Sequence, residues 1–201
     1  MTTAIPGVVQ EYPTFGLPAG SVRGFLSVLI CSFFWILLLL PPTYEMRAPL
    51  GHFFLLTMVL MAFVSHPLPE GRTHVLPWLM RVLFVGGSLA VVVWALIQDP
   101  QLAAKRLTPA AEEVYQWPVL LGCLAGGFAT ALFVRFILGR TSQLFMTLRA
   151  WVGVLAMLLL LFETILQYVI LPSLTERNLE VEKVWEGILI AIVSGYFGSR
   201  V

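Results

Sequence analysis

A chain of 201 residues that is 59% hydrophobic and only 11% charged, with a mean hydropathy of +0.90, cannot pack as a soluble domain, in which about 25% of residues carry charge. Its net charge of +1 comes from 12 basic and 11 acidic residues with no block of like sign, which excludes a nucleic-acid binder and a polybasic lipid-binding tail. The bilayer must be the solvent for most of the apolar surface, so the expected fold is all-α, a polytopic transmembrane helix bundle.

Residues 1–20 carry Pro6, Pro13 and Pro18 with Tyr12 and Phe15. They suit an extended interfacial arm rather than a cleavable signal peptide or a folded domain. Residues 21–201 read as one transmembrane domain. Ser21 can cap a first span over about 24–40, anchored by Arg23 and stopped by Pro41 and Pro42. Pro49 stands at a first-turn position for a second span, about 50–64, forming an antiparallel hairpin with the first.

A polar loop with His66, Glu70, Arg72 and His74 leads to a third span, about 78–97, whose Arg81 can snorkel to the headgroups. Within 98–116, the run TPAAEE at 108–113 predicts a capped short helix on the surface. A fourth span covers about 117–137, with Arg135 near its end. The fifth covers 148–171, where Pro172 ends it, and an acidic connector precedes a sixth and shorter span over 184–201.

Lysine and arginine set the orientation. Arg23, Arg72, Arg81, Arg135, Arg140, Arg149 and Arg200 fall on the side of the N-terminus, against Arg47, Lys105, Arg106, Arg177 and Lys183 on the other. That bias places both termini in the cytoplasm. The acids Glu45, Asp99, Glu112, Glu113, Glu176, Glu180, Glu182 and Glu186 share the less basic side.

In lipid, helices gain contact where small residues let backbones approach. Gly122, Gly126 and Thr130 form such a stripe on the fourth span, Gly187, Ala191, Gly195 and Ser199 on the sixth, and Gly86 with Ala90 on the third. They read as seams within one chain or between copies. Cys31 and Cys123 both lie inside apolar runs, as small packing residues rather than a disulfide or metal pair.

The fifth span, LRAWVGVLAMLLLLFETILQYVIL, is 24 residues and roughly 36 Å long. It carries one carboxylate, Glu163. Gly153, Ala156, Leu160, Glu163 and Gln167 recur at three- and four-residue steps, so the acid shares a small and polar face turned away from lipid. A charge in hydrocarbon costs about 2.5–3.5 kcal/mol on insertion scales, which makes Glu163 the sharpest candidate for function. With Gln167 one turn above and His52 at similar depth, it outlines an intramembrane polar site. Three readings follow: an acid locking helices together, a proton or cation site, or a polar contact to another subunit.

Other chemistry finds no constellation. His52 and His66 are 14 residues apart, near one helical face, as in stacked haem ligands, but only His74 remains as a partner and it lies in a loop. No haem, other cofactor or metal is expected. There is no G-x-S-x-G, H-E-x-x-H or Walker loop, and Ser194 has no histidine within reach along its helix. Trp78, Trp117, Trp151, Trp185 and Tyr196 stand near predicted span ends as an aromatic belt.

The segments GLPAGSVRGFLSVLI (16–30) and SGYFGSR (194–200) resemble the start and end motifs of small uncharacterised bacterial multi-pass membrane proteins, and the second also resembles the tails of some holin-like proteins. The resemblance implies a bacterial inner-membrane location and no activity. The six predicted spans depart from the holin pattern, which weakens a lytic role. The expected function is a non-enzymatic accessory subunit or self-associating scaffold, its partners the bilayer and other membrane subunits or copies of itself. The alternative is a small channel or transporter using Glu163 as a proton or cation site.

Overall fold

The computed structural model describes residues 21–44, 46–65, 75–139, 142–173 and 179–200, all of them helix, turn or connector with no strand among them. In chain order the helices are α1 (Ser21–Leu39), α2 (Leu50–Ser65), α3 (Val75–Gln98), α4 (Pro100–Leu107), α5 (Ala111–Val114), α6 (Trp117–Leu138), α7 (Gln143–Ile165) and α8 (Leu179–Gly198). Among the described residues, Ser21–Leu39, Trp117–Leu138 and Gln143–Ser173 are long and apolar enough to cross a membrane. Leu50–Leu60 and Val82–Gln98 are apolar but shorter. In α8 the charged residues Glu180, Glu182, Lys183 and Glu186 interrupt the apolar run.

Pro172 shapes the end of α7. In a regular helix its ring would collide with the carbonyl one turn back. The chain widens ahead of it into a π-helical turn, Leu166–Ile170, where the Leu171 N–H reaches back to the Leu166 carbonyl, and then tightens into a 3₁₀ turn, Leu171–Ser173. At the end of α6, Gly139 takes a positive φ of 77°, a region that L side chains avoid, and its N–H satisfies the Arg135 carbonyl.

The stretch between α3 and α6 differs from expectation. Its main helix is α4, opened by Asp99, whose carboxylate accepts from the N–H groups of Gln101 and Leu102 at 3.0 Å each, with Pro100 at the first position. The helix expected to be capped within 108–113 shrinks to α5, which begins after Ala110 with no side-chain cap. Thr108 donates its hydroxyl backward to the Ala104 carbonyl at 2.8 Å, so it closes α4 instead of opening α5.

The core lies between α1, α2, α7 and α8, where Leu26, Ile30, Leu55, Val59, Leu160, Ile190 and Val193 are buried together. α8 occupies the middle, packed on α6, α7 and α2, and α1 packs on α3 and α7. The Trp35 indole ties α1 to α3 by donating to the Ser88 hydroxyl at 3.1 Å.

The α6–α8 seam is the most extensive in the bundle, but it does not use the expected stripe of α6. Gly122, Gly126 and Thr130 face outward, and space is open beyond Gly122 and Gly126. The seam runs one residue on, at Cys123 and Gly127. A Cβ on Gly127 would lie 2.2 Å from the Ala191 carbonyl oxygen, and one on Gly187 3.1 Å from the Cys123 sulfur. The α8 stripe is therefore in the seam as its spacing predicts, while α6 presents the neighbouring face. Both cysteines are free thiols.

Gly127→Val should separate α6 from α8 and lower stability in detergent by at least the 1–3 kcal/mol typical of overpacking, whereas Gly122→Ala should leave the melting temperature unchanged. Thermal unfolding of the two variants checks this; equal melting points would contradict the seam.

Candidate functional site: a buried carboxylate between two helices

The predicted face of α7 is buried: Gly153, Ala156, Leu160 and Glu163 all point inward, and Gln167 follows from the π turn. Glu163 is 0% exposed. One of its oxygens, Oε1, accepts from the Gln167 amide at 3.0 Å, and Oε2 accepts from the Trp185 indole N–H on α8. Trp185 also sets its ring edge-on to Phe162, with centroids 5.3 Å apart. Both oxygens of the acid are thus engaged by neutral donors, one from its own helix and one from the next. No basic side chain among the described residues pairs with it.

His52, the third residue of the expected polar site, is buried near the start of α2 at 2% exposure. It forms no hydrogen bond to Glu163. Its ring stacks on Phe33 at 3.7 Å between centroids and 25° between planes, and its Nδ1 has no partner. Phe33 links the two regions: its ring also meets Tyr168, with centroids 5.0 Å apart, and its carbonyl accepts the Tyr168 hydroxyl at 2.6 Å. The structure therefore joins Gln167 to Glu163 and keeps His52 in an aromatic layer beside them. The expectations for His66 and His74 lie outside the described residues.

Four residues of this region escaped the sequence reading. Trp185 was expected in the aromatic belt, yet its indole turns inward to Glu163. Tyr196, expected there too, is 1% exposed, with its ring against Gly153, while Trp78, Trp117 and Trp151 do face outward. Glu186, expected in an exterior acidic group, is 9% exposed, and its Oε2 approaches the backbone of Gly51 so closely that a Cβ there would lie 2.9 Å from it. The spacing Glu186, Ile190, Val193 and Phe197 carried the signal, since the last three are core residues. Glu113 accepts from the Leu50 N–H at 3.0 Å, so α2 begins on carboxylates supplied by α5 and α8, which complement the orphan N–H groups and positive dipole of a helix start.

Arg106 of α4 is the fourth. Counted at the sequence level as an exterior loop cation, it is 2% exposed. Its guanidinium donates to the carbonyls of Leu40 and Pro41 at 2.7 Å each and Tyr44 at 3.2 Å, holding the turn after α1. Burial pushes its pKa down from the ordinary value, and the nearby Tyr168 acts in the opposite direction. A cleft of about 370 Å³ beside it is lined by residues including Trp94, Asp99 and Leu102.

No protein-family model, curated protein or solved structure matches this chain. The chemistry of the site has to be read from its own geometry. Glu163 fits a polar tie between α7 and α8, its oxygens held by Gln167 on one side and Trp185 on the other.

Replacing the acid tests what it does. In Glu163→Gln, the Gln167 amide can turn over so that its carbonyl accepts from the new amide while Trp185 keeps an acceptor. Stability should fall by less than about 1 kcal/mol. In Glu163→Leu both donors lose their acceptor, and at about 1–3 kcal/mol per stranded group the loss should be about 2–6 kcal/mol. Denaturation in mixed micelles separates the two, and an equal loss in both variants would mean that the negative charge itself is required.

Proposed function

We propose that the chain is a multi-pass integral protein of the bacterial inner membrane, crossing it about six times with both termini cytoplasmic, and that it serves as a non-enzymatic accessory subunit or self-associating scaffold. The observation that carries this reading is the outer surface. One face of α6 packs on α8, but Leu120 is its one fully buried residue, and the opposite face turns Gly122, Gly126 and Thr130 outward with Phe133, Phe136 and Ile137. A helix so apolar with a whole face left open needs lipid or another helix against that face.

The polar site supports the same reading. Glu163 is engaged on both oxygens and does not line the cleft beside Arg106, an arrangement suited to a fixed tie. A transport reading, with Glu163 as a proton or cation site assisted by Gln167 and His52, draws its support from Glu186, a second buried acid close enough to interact with Glu163 electrostatically.

Native mass measurement after extraction in a mild detergent distinguishes them when paired with a flux assay. A scaffold or subunit gives a particle heavier than one 22.4 kDa chain and proteoliposomes whose proton flux is the same for wild type and Glu163→Gln. A lone chain with a flux that Glu163→Gln abolishes would overturn the proposal in favour of transport.

A further inference from the structure

We infer that the furrow between α6 and α7 is a binding site for one anionic phospholipid, its acyl chain lying along the furrow and its phosphate at the arginine-rich end of the bundle. This inference rests on the membrane reading above.

The furrow encloses about 470 Å³, within the range of about 300–1,000 Å³ of small-molecule sites. Its floor is Ala191 and Gly195 of α8, and its walls include Thr130 and Val134 of α6 and Val152 and Leu155 of α7. The floor and the α6 wall are made of small residues, so the space comes from missing side chains rather than from separated helices. From Val134 to Cys123 the α6 wall covers about eleven residues, roughly 16 Å at 1.5 Å per residue, which is one leaflet of a hydrocarbon core about 30 Å thick. The furrow is as deep as a single acyl chain requires.

Charge decides the head group. Arg149 and Ser199 line the furrow where it reaches the end of the bundle. Arg135 stands in the last turn of α6, one residue past Val134, and Arg200 follows Ser199 with its guanidinium 5.8 Å from the Tyr196 ring centroid. Gly153 would bring a Cβ against both Tyr196 and Val22, which places Arg23 at this end too. The carboxylates with described side chains lie toward the other end, on Asp99, Glu113, Glu163 and the first turns of α8. Basic pockets between spanning helices on the cytoplasmic side recruit anionic head groups, and an apolar furrow leading to such a pocket suits both parts of the lipid.

The test uses the full chain in mild detergent, titrated with phosphatidylglycerol or phosphatidylcholine of identical chains and read by native mass spectrometry. Wild type should retain phosphatidylglycerol over phosphatidylcholine. Gly126→Leu has open space for its side chain on the fold, so it should fill the furrow, keep the wild-type melting temperature and lose retention of both lipids. Thr130→Leu should act in the same way. Arg149→Gln should weaken phosphatidylglycerol binding about fivefold and phosphatidylcholine, whose choline offsets its phosphate charge, by less. Equal retention of the two lipids by wild type, or undiminished phosphatidylglycerol on Gly126→Leu and Thr130→Leu, would overturn the inference. A change of particle mass in Gly126→Leu without loss of lipid would also overturn it, by assigning the furrow to a second copy. Recovery of the chain without detergent would instead defeat the membrane reading itself.

Discussion

Glu163 between Gln167 and Trp185 sets the relation of α7 to α8, and α8 sets most of the rest. Burying a carboxylate in hydrocarbon is tolerated only where its oxygens find donors. The indole of Trp185 supplies one from the neighbouring helix, which fixes how far along α7 the start of α8 can sit. With that register in place, Gly187, Ala191 and Gly195 fall opposite Cys123 and Gly127, Ile190 and Val193 enter the core, and Glu186 reaches the beginning of α2. A shift of one residue along α8 would place side chains where α6 has room only for backbone.

The two ends of the bundle divide the remaining work by charge. At one end, acids from α5 and α8 meet the start of α2, and the buried guanidinium of Arg106 gathers the carbonyls of the turn after α1. Each group satisfies backbone polarity left over where a helix starts or stops. At the other end, Arg149 of α7 lines the furrow between α6 and α7, and Arg135 stands in the last turn of α6. One end is closed by backbone-directed hydrogen bonds, and the other carries arginines beside an apolar furrow.

The α7 face was legible in the sequence because Gly153, Ala156, Leu160, Glu163 and Gln167 follow helical periodicity without interruption, and Pro172 marked where it had to end. Periodicity did not decide which of two adjacent faces α6 would turn inward, since Gly122, Gly126 and Thr130 and the pair Cys123 and Gly127 are both small; the Ala191 carbonyl opposite Gly127 chose. Trp185 was misread because a tryptophan near a span end serves equally as an interfacial anchor or as a donor to a buried acid, and only the position of Glu163 on the neighbouring helix separates these roles. Asp99 followed by Pro100 was a readable helix start, overshadowed by the stronger-looking TPAAEE run. Arg106 repeats the lesson: its charge suggested solvent, while its spacing from Ala103 placed it on the buried side of α4.

The most direct test of the tie between α7 and α8 is a double-mutant cycle on Glu163→Leu and Trp185→Phe, measured by reversible unfolding in mixed micelles. If the indole and the carboxylate hold the helices in register, the two losses will fail to add, with a coupling energy of about 1–2 kcal/mol. Strict additivity would contradict that account, since each side chain would then act without the other.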